Sequence, residues 1–166
     1  MNHAQKELFE GTVDFGVPAT PAAKTATCVD CHMKSVSSDG KEYVKHDFKA
    51  RVDVEIDDKG KKVVVNACAR CHTSMSKEKV EAIKKEYEER YKKAKADLDA
   101  LKARIDAITK QGGKVDATTE TLYKEAYTNL SLIEGGKMPG VHNPAFAEGL
   151  LKAANDRIAQ LKVRLP

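Results

Sequence analysis

Two copies of one pentapeptide constrain this chain more than any other feature. Cys28-Val29-Asp30-Cys31-His32 and Cys68-Ala69-Arg70-Cys71-His72 use all four cysteines in the sequence. Two Cys-x-x-Cys pairs alone would fit four zinc ligands, redox thiols or disulfides. The histidine directly after each pair discriminates between these chemistries. Histidine makes up 5 of 166 residues, so its arrival at both positions by chance is on the order of one in a thousand. A zinc site has no need of it there, and the 36 residues between Cys31 and Cys68 exceed the usual zinc-ribbon spacing. Covalent haem attachment explains every position. Two thiols three residues apart reach the two vinyl groups on one edge of a porphyrin, and the next residue brings an imidazole under the ring to the iron. The expectation is two c-type haems, on Cys28 and Cys31 and on Cys68 and Cys71, with His32 and His72 as proximal ligands.

Two irons need sixth ligands, and three histidines remain: His3, His46 and His142. Methionine is the other option and would raise the reduction potential. Met33 and Met75 lie too near their own motifs to reach across, which leaves Met138 as the methionine candidate. His142 stands between Gly140 and Pro144, just ahead of a helix start, a place suited to holding a ligand rigidly. Its return toward the haems just closes. The long helix carries the chain about 50 Å away and the next returns about 25 Å, at about 1.5 Å per residue. The expectation is therefore an extended segment over 135–140, or a long helix that bends or ends early.

The rest of the chain divides in composition near residue 75. Before it, residues 2–10 suit a short helix, 11–27 a loop, and Ser37-Ser38-Asp39-Gly40 a turn. Arg51–Ile56 alternates, Asp57–Gly60 turns and Lys61–Val65 returns, which predicts a small β-hairpin. After it, residues 76–110 hold no Gly or Pro. Val80, Tyr87, Ala94, Leu101 and Ile108 recur every seven residues beside a second row of Tyr91, Leu98 and Ile105. That spacing predicts a long amphipathic helix with one apolar seam, ended by Gln111-Gly112-Gly113. Leu122, Ala126, Leu130 and Ile133 mark a second helix over 118–134. Asn143 and Pro144 start a third, whose buried face is Phe146, Leu150, Ala154, Ile158 and Leu161. The fold class expected is mainly α: haem-wrapping loops and short helices with a small hairpin over 1–75, then three long helices, a helical hairpin, over 76–166. The exposed seam of the long helix needs the later helices, another subunit, or both. The chain is only 41% hydrophobic and 5% aromatic, a thin core for its length that haem discs would supplement. The net charge of +4 is spread through mixed-sign helices, which argues against nucleic acid. No stretch is apolar enough to span a membrane.

These segments, in their order, resemble part of a known family. Cys28-Val29-Asp30-Cys31-His32-Met33, then Asp39-Gly40-Lys41-Glu42-Tyr43 and His46, is similar to the fourth haem-binding segment of the pentahaem ammonia-forming cytochrome c nitrite reductases. The second motif stands where the fifth would be. His3 followed by Glu7-Leu8-Phe9-Glu10-Gly11 resembles the stretch upstream of the fourth motif, and Val141-His142-Asn143-Pro144 the late histidine segment before the final helix. The resemblance implies that His142 is the distal ligand of the haem on Cys28 and Cys31. It implies that the residue matching His46 ligates a haem of a more N-terminal part. The family's distal histidine for its last haem lies shortly before the fourth motif, where residues 11–27 hold none. His3 or His46 is then the candidate, with His3 favoured by order. The family's catalytic Cys-x-x-Cys-Lys motif is absent from this sequence.

The function expected is electron transfer through two low-spin bis-His haems to a redox partner protein. The alternatives are a haem enzyme reducing a small molecule at an open iron, and a scaffold whose helices dimerise or dock a larger reductase. Covalent haem attachment takes place outside the cytoplasm, so the expected location is periplasmic or extracellular, with a signal peptide removed or the sequence a piece of a longer exported chain.

Overall fold

The computed structural model describes residues 4–12, 16–21, 27–32, 35–38, 41–44, 52–56, 59–60, 62–66, 72–136 and 139–165. The expectations placed on His3, His46, Cys68, Cys71 and Met138 lie outside the described residues. In chain order the elements are α1 (Ala4–Glu10), α2 (Cys28–His32), β1 (Ser35–Ser38), β2 (Lys41–Val44), β3 (Val52–Ile56), β4 (Lys62–Asn66), α3 (Lys77–Lys110), α4 (Ala117–Gly135), α5 (Pro139–His142) and α6 (Pro144–Arg164). The fold is mainly helical, as the patterning implied. The chain forms two compact units, one of residues 1–22 with 83–166 and one of residues 23–82.

In the helical unit, α3 is built from strong helix formers and carries i,i+4 ion pairs such as Lys92 with Glu88 at 2.8 Å and Lys95 with Asp99 at 2.5 Å. Such exposed pairs contribute only about 0.2–0.5 kcal/mol each, so packing has to hold the helix. The seam does this. Tyr87, Ala94, Leu98 and Leu101 are buried, and Tyr91, Ile105 and Ile108 pack against the same core. The helix stops at Gly112, whose φ of +78° only glycine adopts without strain. There the N–H of Gly113 bonds to Ile108 C=O at 2.9 Å and that of Gly112 to Thr109 C=O at 3.1 Å, the two bonds that absorb a helix's last carbonyls. α4 starts on Asp116, whose carboxylate accepts from the N–H groups of Thr118 and Thr119. Among the described residues α4 and α6 are the most closely packed pair of helices, and Ala126, Ala147, Ala153 and Ala154 on them are buried. Ion pairs tie α6 to both neighbours: Arg157 to Glu125 at 2.9 Å, Lys162 to Asp97 at 2.9 Å and Glu148 to Arg90 at 2.6 Å.

The N-terminal segment belongs to this unit. Leu8 is fully buried in the helix core, with Ala4 and Val17. A Cβ on Gly136, at the end of α4, would stand 2.7 Å from the Leu8 side chain. α1 ends at Gly11 (φ +66°), where a side chain would meet the Thr20 carbonyl at 2.1 Å.

Residues 23–82 contain α2 and two antiparallel hairpins. β3 pairs with β4 in the register Val54 to Val64, with Gly60 at φ +77° in the turn, which agrees with the alternation read from the sequence. A second hairpin, β1 with β2 in the register Val36 to Tyr43, was read only as a turn. Its strands are four polar-rich residues each, too short for alternation to be seen. Of the segment after α4, residues 137–138 lie outside the described residues, and Pro139–His142 forms a helical turn, because proline is favourable at a first helical position. It ends at Asn143 (φ −156°), since the residue before a proline is pushed out of the α region.

Candidate haem-binding site

The first pentapeptide is α2 itself, a single helical turn with no buried residue. A helix this short does not nucleate on its own, and its ends show what holds it. The Asp30 carboxylate accepts from both the N–H and the hydroxyl of Thr27, each at 2.7 Å, while Thr27 C=O accepts from Asp30 N–H at 3.1 Å. This is the carboxylate half of a capping box, supplied by one of the two variable positions of the motif. The Thr-x-x-Asp pattern is legible in the sequence. With the turn helical, Cys28 and Cys31 are three residues apart and share one face. Both are solvent-exposed, and His32 is half-buried. Two accessible thiols on one helical face with an imidazole immediately after them are the donor set that a covalently held porphyrin requires, so the residues fit the group.

The two motifs bracket the hairpins: β1 begins three residues after His32, and β4 ends two residues before Cys68. Within the second motif His72 is exposed. Its carbonyl accepts from Met75 N–H at 2.9 Å, and Ser76 then caps α3 by accepting from Lys79 N–H at 3.3 Å. His72 therefore sits one turn ahead of the long helix.

His142 is the last residue of α5 and is half-buried. The residues around it hold the segment firmly. Asn143 is 3% exposed. Its Oδ1 accepts from Phe146 N–H at 3.1 Å, and its Nδ2 donates to Thr20 C=O at 2.6 Å and Phe9 C=O at 3.4 Å. Its sequence position before Pro144 signals only the cap. Tyr87 donates its hydroxyl to Pro144 C=O at 3.0 Å. Burial raises the Tyr87 phenol above its ordinary value, so it stays a donor at neutral pH. Arg90 lies over the Tyr87 ring, 5.5 Å from its centroid, and its bond to Glu148 holds that carboxyl below the usual range. Nothing in the sequence pattern singled out Tyr87 for this role.

A capped turn presenting two thiols and a histidine, with the pentapeptide repeated further along, defines a c-type cytochrome of the multihaem class. The chain belongs to the cytochrome c552 family, which it matches over residues 3–166. Two solved structures resemble it. One is the outer cell wall cytochrome OcwA, 30% identical, at a TM-score of 0.65 over 93% of this chain and 29% of that one. The other is an undecahaem cytochrome from the S-layer of Carboxydothermus ferrireducens, 22% identical, at a TM-score of 0.56 over 94% of this chain and 24% of that one. The second likeness shows the fold alone. This chain spans under a third of either structure. No curated protein matches it. Family membership makes covalent c-type haem the cofactor. Among the described residues no helix is long and apolar enough to cross a membrane.

Proposed function

We propose that this chain holds two haems, on Cys28 and Cys31 and on Cys68 and Cys71, and passes electrons between them and to a partner protein. The observation that carries this reading is the preformed α2 turn, with its two exposed thiols and following histidine, together with the repeat of its sequence at 68–72. His32 and His72 are the proximal ligands. His142 is a distal ligand, supported by its fixed place at the end of α5 and by the resemblance of Val141–Pro144 to the late histidine segment of the ammonia-forming nitrite reductases. His3 or His46 completes the second iron. In this reading the chain corresponds to the electron-transfer end of that architecture, since the sequence holds no Cys-x-x-Cys-Lys motif.

The bound haem supplies a one-electron iron couple. The residues of the chain fix its attachment edge, its axial ligands and its burial, and bis-His ligation sets a lower potential than Met–His ligation. Location outside the cytoplasmic membrane is supported by the site of covalent haem attachment and by the 30% identical structure, named for an outer cell wall. A role for the long helices as a contact surface with a second copy or a larger cytochrome is supported by the stacked Tyr123 and Tyr127 rings, 6.2 Å between centroids, with Tyr127 51% exposed.

The test is the visible spectrum of the matured protein, oxidised, reduced, and reduced under carbon monoxide. Low-spin bands unmoved by carbon monoxide, with two haems per chain, support the reading. A Soret shift under carbon monoxide would establish an open iron and favour small-molecule reduction instead. One haem per chain would end the dihaem assignment.

A further inference from the structure

The residue after His142 does more than cap a helix. A carboxylate would cap α6 as well as an amide does, yet position 143 uses both ends of an amide. Its oxygen takes the Phe146 N–H, and its NH₂ donates to two backbone carbonyls distant in sequence, at Thr20 and Phe9. Only an amide both accepts and donates in this way. The bonds are shielded, since Asn143 is 3% exposed. Tyr87 holds the same segment on both sides of His142. Its hydroxyl bonds to the Pro144 carbonyl at 3.0 Å, and its ring lies so close to Gly140 that a Cβ there would be 2.4 Å away. The short turn ending in His142 is thus clamped before and after the histidine.

We propose that Asn143, with Tyr87, is a positioning residue that holds His142 for its iron. Bonds from one amide to three chain segments fix the backbone at the ligand, so the imidazole remains on the metal and external ligands do not replace it. The inference rests on the reading of His142 as a distal ligand.

Asn143→Asp separates the two functions, because it keeps the acceptor for Phe146 and removes both donors. In the full-length protein matured with haem, Asn143→Asp is expected to keep parental helix content and both covalent haems. Carbon monoxide should then bind one reduced haem about thirtyfold faster than in the parent, the scale of two lost hydrogen bonds to carbonyls at about 1 kcal/mol each, and that haem's potential should shift while the other's does not. His142→Ala is measured beside it. If His142→Ala leaves both irons closed, the ligand assignment fails and the inference fails with it. If His142→Ala opens an iron while Asn143→Asp binds carbon monoxide as slowly as the parent, the ligand assignment stands and the positioning role is overturned. Should Asn143→Asp not fold, Tyr87→Phe, which removes the hydroxyl that bonds to Pro144 C=O and faces Glu148, decides: faster carbon monoxide binding at one haem supports the role, and parental binding overturns it.

Discussion

Replacing Asp30 by alanine tests how the first motif is made ready for haem. The Asp30 carboxylate accepts both hydrogen bonds, at 2.7 Å each, that close the N-terminus of α2. The helix is five residues long and buries none of them, so neither cooperativity nor packing compensates. Loss of a capping interaction costs about 1 kcal/mol, which lowers the population of the helical turn about fivefold before haem is attached. Because Cys28 and Cys31 share a face only in the helical form, the attachment rate should fall by about the same factor. The second motif has Arg70 at the equivalent position and serves as the internal control. The assay is peptide mass spectrometry of chains collected while maturation is limiting, reporting haem at Cys28 and Cys31 relative to Cys68 and Cys71. Asp30→Ala should lower this ratio about fivefold, and Asp30→Asn, which keeps an acceptor, should restore most of it. A ratio in Asp30→Ala equal to the parent's would refute the argument that the cap prepares the turn.

Other expectations concern the helical unit. Leu8→Ala removes a fully buried side chain from the core and should destabilise that unit by about 2–5 kcal/mol in denaturant titrations followed by circular dichroism; a change within the error of the midpoint would show that α1 does not pack there. Asn129 is fully buried on α4, and among the described residues neither amide atom has a hydrogen-bond partner. Asn129→Leu should therefore raise the unfolding midpoint, by about 1–3 kcal/mol; a lowered midpoint would reveal a polar role for the amide. Arg90 holds Glu148 below its ordinary value of 4.5. A depressed folded-state value gives stability that is present above the unfolded value and lost as pH falls through the folded one. The loss should thus begin near pH 4.5 and continue below it, and Arg90→Gln should remove that part of the acid limb, with less difference at high salt because the pair is largely exposed.

Much of the helical unit was legible because periodic burial is a local signal. All four residues marked on the second helix and all five on the last are buried, and from Tyr91 to Ile108 the seven-residue rows of α3 face the core, whereas Val80 at the start of the first row lies outside it. The hairpin of β3 and β4 was visible through its alternation and Gly60, whereas β1 and β2 are too short and too polar to alternate detectably. The placement of Leu8 in the helix core had no such signal, since one leucine in a seven-residue helix does not say what it packs against.

The haem site divides in the same way. Attachment chemistry depends on residues adjacent in the chain, so the sequence alone points to Cys28, Cys31 and His32, with their repeat at 68–72, as the residues proposed to hold haem, and the family match supports c-type haem as the cofactor. The Thr27–Asp30 box spans three residues and was equally available to a sequence reading. What surrounds His142 was not. Asn143 reaches carbonyls 123 and 134 residues away, and Tyr87 reaches Pro144 across 57. Backbone carbonyls carry no signature in side-chain identity, so hydrogen bonds to them over such separations exist only once the chain has folded. The sequence determined which residues can hold a haem; the tertiary structure alone decided how rigidly the segment carrying His142 is held.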